Sequence, residues 1–184
     1  MVVLKLLLSA AIVFLTAYLG NMKASKLKQR EYILREAVTF FNLVKNEMKY
    51  MMCILPNAYE IARQKLTTPL KEAIGQIAVD MVTFENVDAV DRSIIENISK
   101  LDSLSSYDKN IIASTLKSLG RNDLESQINI IENGIEILDN QIKEANEFKI
   151  TNSKLYRTIG TITGIMIVVI FIWWGEIYGH RFTV

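Results

Sequence analysis

Three observations predict an all-α fold. No alternating apolar–polar run of strand length appears anywhere in the 184 residues. Two long segments carry apolar side chains at three- and four-residue steps, the mark of one buried helix face. The two prolines, Pro56 and Pro69, follow Leu55 and Thr68 at points where the apolar period restarts, as suits helix starts. The expected architecture is a cytoplasmic bundle of about six helices between an N-terminal and a C-terminal transmembrane helix. Its expected segments are 2–21 (membrane), 22–157 (bundle), 158–178 (membrane) and 179–184 (a short tail).

The first segment, Val2 to Gly20, has one charge, Lys5. It reaches the ~20 apolar residues of a span if Lys5 snorkels to the interface. A cleaved signal peptide competes with this reading, but Ala17-Tyr18-Leu19 is a poor cleavage site. The chain runs on without a proline into an amphipathic helix with Leu27, Leu34, Ala37, Phe41, Val44, Met48 and Met51 on one seam, interrupted by Arg30. Leu55-Pro56 breaks that helix and starts another, expected to end near Leu66. Thr68 is expected to cap a third helix, with Pro69 in its first turn, ending near Val82. Phe84 to Val87 reads as a loop, after which Asp88 or Asp91 caps a short helix ending near Leu101. Ser105 and Asp108 have capping-box spacing, and Gly120 suits the left-handed position beyond the end of that helix.

The last helix organises the rest. Asn122 and Glu125 signal its start, and Leu124, Ile128, Ile131, Ile135, Leu138, Ile142 and Ala145 form its seam. A polar stretch, Lys149 to Arg157, leads into Ile159–Trp174, whose only polar side chains are two threonines. With Thr158 through Tyr178 it is long enough to span, and Trp173, Trp174 and Tyr178 form an aromatic belt. Gly160 and Gly164 have the small-xxx-small spacing of a close helix contact, either to the first span or to another subunit.

Charge placement sets the expected topology. Lys23, Lys26, Lys28 and Arg30 follow the first span, and Lys149, Lys154 and Arg157 precede the second, against Lys5 and Arg181 at the outer ends. The positive-inside rule puts the bundle in the cytoplasm and both termini outside. Residues 23–157 carry 19 basic and 19 acidic side chains, a balance that excludes a nucleic-acid binder. Cys53 is the only cysteine, so no internal disulfide forms; within Met51-Met52-Cys53-Ile54 it reads as a buried, inert thiol.

Catalytic chemistry is missing from the pattern. His180 is the only histidine and lies at the outer end, and no phosphate-binding glycine loop is present. Glu125, Glu132, Glu136, Asp139, Glu144 and Glu147 fall off the apolar seam and read as a solvated face. The chain is therefore read as no enzyme, with no cofactor, no metal and no small-molecule substrate. In the turn from Leu119 to Gln127, a capped reversal uses Gly120 and one of Asn122 and Asp123. Arg121 and Gln127 are left over, expected to point into solvent. Arg121, Asp123 and Gln127 are accordingly the candidate partner-binding residues.

Four stretches carry a family resemblance. They are Glu47-Met48-Lys49-Tyr50, Leu55-Pro56-Asn57-Ala58, the run from Leu119 to Gln127, and the join from Tyr156 to Gly164. In this order and spacing they resemble the stage III sporulation protein AB family of endospore-forming bacteria. The chain departs from the family in lacking a mid-chain Trp and in its polar end, Glu176 to Val184. The resemblance implies a cytoplasmic helical domain like those of the type II secretion F-family platform protein. It further implies a platform or adaptor in the mother-cell membrane around the forespore, docking a secretion-type ATPase and other membrane subunits and supporting the channel between the cells. A membrane sensor is the alternative, but only a handful of residues lie outside either span.

Overall fold

The computed structural model describes residues 2–84 and 86–179, with the side chains of 11–84, 86–156 and 158–170. Among these, six helices and no strands are found: α1 (Val2–Tyr50), α2 (Leu55–Arg63), α3 (Leu70–Thr83), α4 (Val87–Ser99), α5 (Ser106–Ser118) and α6 (Leu124–Gly179). Residues 180–184 of the predicted tail, with His180, and the side chains of Lys5, Arg157, Trp173, Trp174 and Tyr178 lie outside the described residues. Gln29–Asn146 form one compact unit, and the helix ends on either side of it form a second.

In the first unit α1 and α6 supply the longest apolar faces. Leu34, Ala37, Phe41, Val44 and Met48 of α1 are buried with their neighbours Ile33 and Phe40; Ile131, Leu138, Ile142 and Ala145 of α6 are buried too. Each large side chain so placed contributes roughly 1.5–3 kcal/mol of transfer free energy. The seams fail at their outer ends, where Met51 and Leu124 are exposed. Consecutive short helices pack on one another, α2 on α3, α3 on α4 and α4 on α5. Tyr59 of α2, fully buried, meets Phe40 edge-on at 5.1 Å. At Gly134 of α6 a Cβ would stand 2.7 Å from Thr115 Oγ1 of α5, so only glycine lets these helices meet there.

Arg30, the one charge on the α1 seam, has a partner. Its Nε donates to Asp108 Oδ2 at 2.7 Å, and its Nη2 donates to Asp108 Oδ1 and to Gln141 Oε1, each at 3.0 Å. Asp108 is fully buried and simultaneously closes the α5 capping box with Ser105. Burial would raise this carboxyl, but the bonds from Arg30 and Ser105 overcome it and hold it below the usual range. One carboxylate therefore fastens α1 to the start of α5. The stability it contributes is present above its unfolded-state pKa and is lost as pH falls through the lower folded value.

Several boundary expectations are corrected. α2 stops at Arg63 rather than near Leu66, because Gln64, Lys65 and Leu66 donate three residues back and tighten the chain out of α-helix. Thr68 does not cap α3: Pro69 occupies the N-cap position, following a cis bond, and Thr68 Oγ1 donates to Glu72 instead. Asn86, not Asp88 or Asp91, caps α4, accepting from Asp88 N at 2.8 Å. Asp123, not Asn122, caps α6: its carboxylate accepts from Ser126 N at 2.9 Å and Ser126 Oγ at 2.7 Å. Cys53 is half-buried rather than buried, with Sγ 3.7 Å from Glu47 Oε2. Desolvation and then that carboxylate push its thiol up, which keeps it protonated and unreactive.

Candidate functional site

At one end of the bundle the chain passes from α1 to α2 and from α5 to α6. Glu47 O accepts from both Met51 N and Cys53 N, and Met52 takes a left-handed conformation at φ 50°. That is a strained state for a residue with a Cβ, costing about 1–2 kcal/mol. The result is a hook of apolar side chains facing solvent: Tyr50, Met51, Met52 (84% exposed) and Ile54. Leu55 then turns inward, lying so close to Gly120 that an added Cβ would sit 3.3 Å from Leu55 Cδ2. Gly120 itself has φ +78°, the backbone state expected of it.

The α5–α6 turn uses its polar side chains internally. Gly120 N donates to Gln127 Oε1 at 2.8 Å, and Gln127 Nε2 donates to Asn122 O at 2.7 Å. Arg121 Nη2 donates to Asp91 Oδ1 at 2.5 Å, and Lys117 Nζ lies 3.6 Å from Asp91 Oδ2. The expectation that Arg121 and Gln127 have no duty in the turn is thus corrected. Gln127 staples the reversal, Asp123 caps the helix, and Arg121 ties the turn to α4. Arg121, with 44% of its side chain exposed, and Asp123 still face solvent, whereas Gln127 is half-buried. No sequence signal marks Asp91 as its partner, because the pairing joins residues thirty apart.

Beside the hook and the turn lies a crevice of about 200 Å³, lined mainly by apolar groups including Leu55, Met81, Val90, Ile94, Leu116 and Leu119. Its rim carries Asp91, Lys117 and Arg121. A larger open groove, about 960 Å³, runs between α3 and α4 and mixes polar with apolar groups. Its wall is already bonded to itself: Ser93 Oγ donates to Asp80, Asn97 Nδ2 to Ser93 O and Lys100 Nζ to Asn97 Oδ1. The six acids named on the last helix are all exposed, and among the described residues no group of three His, Cys, Asp or Glu could hold a metal ion.

The second unit follows another rule. Gly160 of α6 stands against Thr16 and Gly20 of α1; a Cβ there would be 2.9 Å from Thr16 O and 3.2 Å from Gly20 Cα. Gly164 meets Thr16 Oγ1 and, at 3.2 Å, Val13 Cα. Thr16 Oγ1 donates to its own helix, to Ile12 O or Val13 O at 3.0 Å. Among the described residues one helix, α6, is long and apolar enough to cross a membrane, and only 6% of its apolar window is buried. The core helix of a soluble protein, which passes the same length and hydropathy test, is mostly buried, whereas this window is mostly exposed.

Fold and site together define an all-helical protein with one exposed, membrane-compatible helix and a capped bundle. The model of one family, stage III sporulation protein AB, matches residues 5–172. The chain belongs to that family of stage III sporulation proteins. No curated protein and no solved structure matches it.

Proposed function

We propose that this chain is a non-enzymatic platform subunit in the mother-cell membrane, anchored by two spans and holding its bundle in the cytoplasm. The second span is the C-terminal part of α6. Support for the first is that Phe14, Leu15, Tyr18 and Leu19 of α1 are exposed in the unit they share with α6, an apolar surface suited to lipid. The bundle docks the secretion-type ATPase and other membrane subunits of the same complex.

The observation that carries this reading is the hook at Tyr50–Ile54 beside the apolar crevice. Four large apolar side chains held out by a strained backbone serve the fold poorly and a partner well. Arg121 touches the partner at the rim, while Asp123 and Gln127 shape the surface by fixing the turn. Met52→Asp tests it in the full chain, purified in detergent with the ATPase of its complex. The substitution should leave the melting temperature within about a degree, since the side chain packs on nothing, and weaken capture at least about tenfold. Unchanged capture would place the contact elsewhere.

A further inference from the structure

The bundle and its helix ends differ in charge in a way the balanced total hides. Residues 29–146 carry 13 basic and 18 acidic side chains, a net of −5. The remaining residues carry 8 basic and 2 acidic, a net of +6. No acid occurs in residues 1–30 or 148–175. Apart from Lys5 near the N-terminus and Arg30, which pairs with Asp108, the cations there are Lys23, Lys26 and Lys28 on α1, and Lys149, Lys154 and Arg157 on α6.

The structure gathers the two runs into one place. A Cβ on Gly20 would lie 2.7 Å from Tyr156 O, so the backbones touch at this level. Lys23 Nζ of α1 lies 5.8 Å from the ring centroid of Tyr156 on α6. Lys23, Lys26, Lys28 and Lys154 are exposed. Within about a turn of this collar the surface becomes apolar, with Tyr18, Leu19 and Met22 exposed on α1 and Ile159 and Ile162 on α6. A cationic ring bordering an exposed apolar band fits the depth of phospholipid headgroups.

We propose that this collar binds the phosphates of anionic phospholipids, selecting them over zwitterionic ones around the helix pair. The inference rests on the two-span reading. It goes beyond it, because a span needs only hydrocarbon, whereas the collar sets which lipid the protein gathers. A nucleic acid would leave the adjoining apolar surface in water, and an acidic protein would have to displace the bilayer from the same level.

The test reconstitutes the full chain in phosphatidylcholine vesicles containing traces of spin-labelled phosphatidylglycerol or phosphatidylcholine. The wild type should restrict labelled phosphatidylglycerol about fivefold more than labelled phosphatidylcholine, the weight of one lysine at an anionic surface. High salt should erase that preference. The triple variant Lys23→Gln, Lys26→Gln, Lys154→Gln should lose it, and the matching Lys→Arg triple should keep it. If the wild type is stripped from vesicles by alkaline washing, the two-span reading fails and the collar with it. If it stays inserted yet restricts both labels equally, the collar proposal alone is overturned. Salt-sensitive dimers in pure phosphatidylcholine, without lipid preference, would overturn it too, by assigning the collar to the acidic bundle of a second copy.

Discussion

The same two helices obey opposite packing rules in the two units they build. In residues 29–146 the large side chains are inside: Ile33, Phe40, Phe41 and Leu138 have at most 1% of their surface exposed. In the helix ends the contact is made by Thr16, Gly20, Gly160 and Gly164, while Phe14 is 78% and Met166 63% exposed. Water drives the first arrangement, since each large apolar side chain gains by leaving it. Between helices in hydrocarbon that gain vanishes, and close backbone approach through small residues takes its place. Charge follows the same division, with the net negative side chains on the unit that packs like a soluble domain.

An unpaired acid in the water-type core should break the comparison most. Ile131 is fully buried, so Ile131→Glu should cost roughly 3–5 kcal/mol and unfold the bundle. Glu132→Ala next to it removes only a partly exposed pair with Lys45 at 3.2 Å and should cost less than about 1 kcal/mol. Thermal melts of the full chain in detergent check both. Equal tolerance would mean that the α6 seam is not a core.

A bulky group in the small-residue contact should have the next largest effect. Gly160→Leu forces a side chain against Thr16 O and should part the helix ends, costing about 1–3 kcal/mol. The readout is covalent. A Cβ at Gly164 lies 3.5 Å from Thr16 Cβ, within disulfide range. With Cys53→Ser as background, Thr16→Cys with Gly164→Cys should oxidise within one chain in membranes, and adding Gly160→Leu should abolish the bond. Cross-linking between chains instead would make this contact an intersubunit one.

What the sequence shows and what it hides divide by range. Local signals hold: Ser105 and Asp108 close the capping box their spacing promises, and Gly120 is left-handed. Arg30 stands out on its seam, but nothing within reach of it in sequence names Asp108, seventy-eight residues on, as the partner. Competition between adjacent polar residues is equally hidden. Asn86 caps α4, and Asp91 instead receives Arg121 and Lys117, contacts that exist only once α4 and α5 have packed. Asp123, not Asn122, takes the cap through its carboxylate, and Asn122 contributes only its backbone carbonyl, which accepts from Gln127. At the candidate site the chain therefore revealed the turn but not its wiring. The Tyr50–Ile54 hook was missed because the α1 seam, read straight through to Met51, counted that residue as core.

The smallest predicted effect tests that wiring. Gln127 makes two hydrogen bonds across the reversal, one to Gly120 N and one to Asn122 O, both on exposed groups. Water can replace each partner after truncation, so Gln127→Ala forfeits only the net value of the bonds, about 1 kcal/mol in total. It should lower the melting temperature by a few degrees, while Arg121→Ala, which frees Asp91 to keep Lys117, should lower it less. Capture of the partner separates the two roles. Arg121→Ala should weaken capture at full folding, because its side chain lies on the rim. Gln127→Glu presents a carboxylate where Gln127 Nε2 donates to a carbonyl, so it should destabilise the turn at least as much as alanine. If both Gln127 variants melt like the wild type yet lose the partner, Gln127 is a contact residue after all, and its bonds to the turn are incidental to the surface.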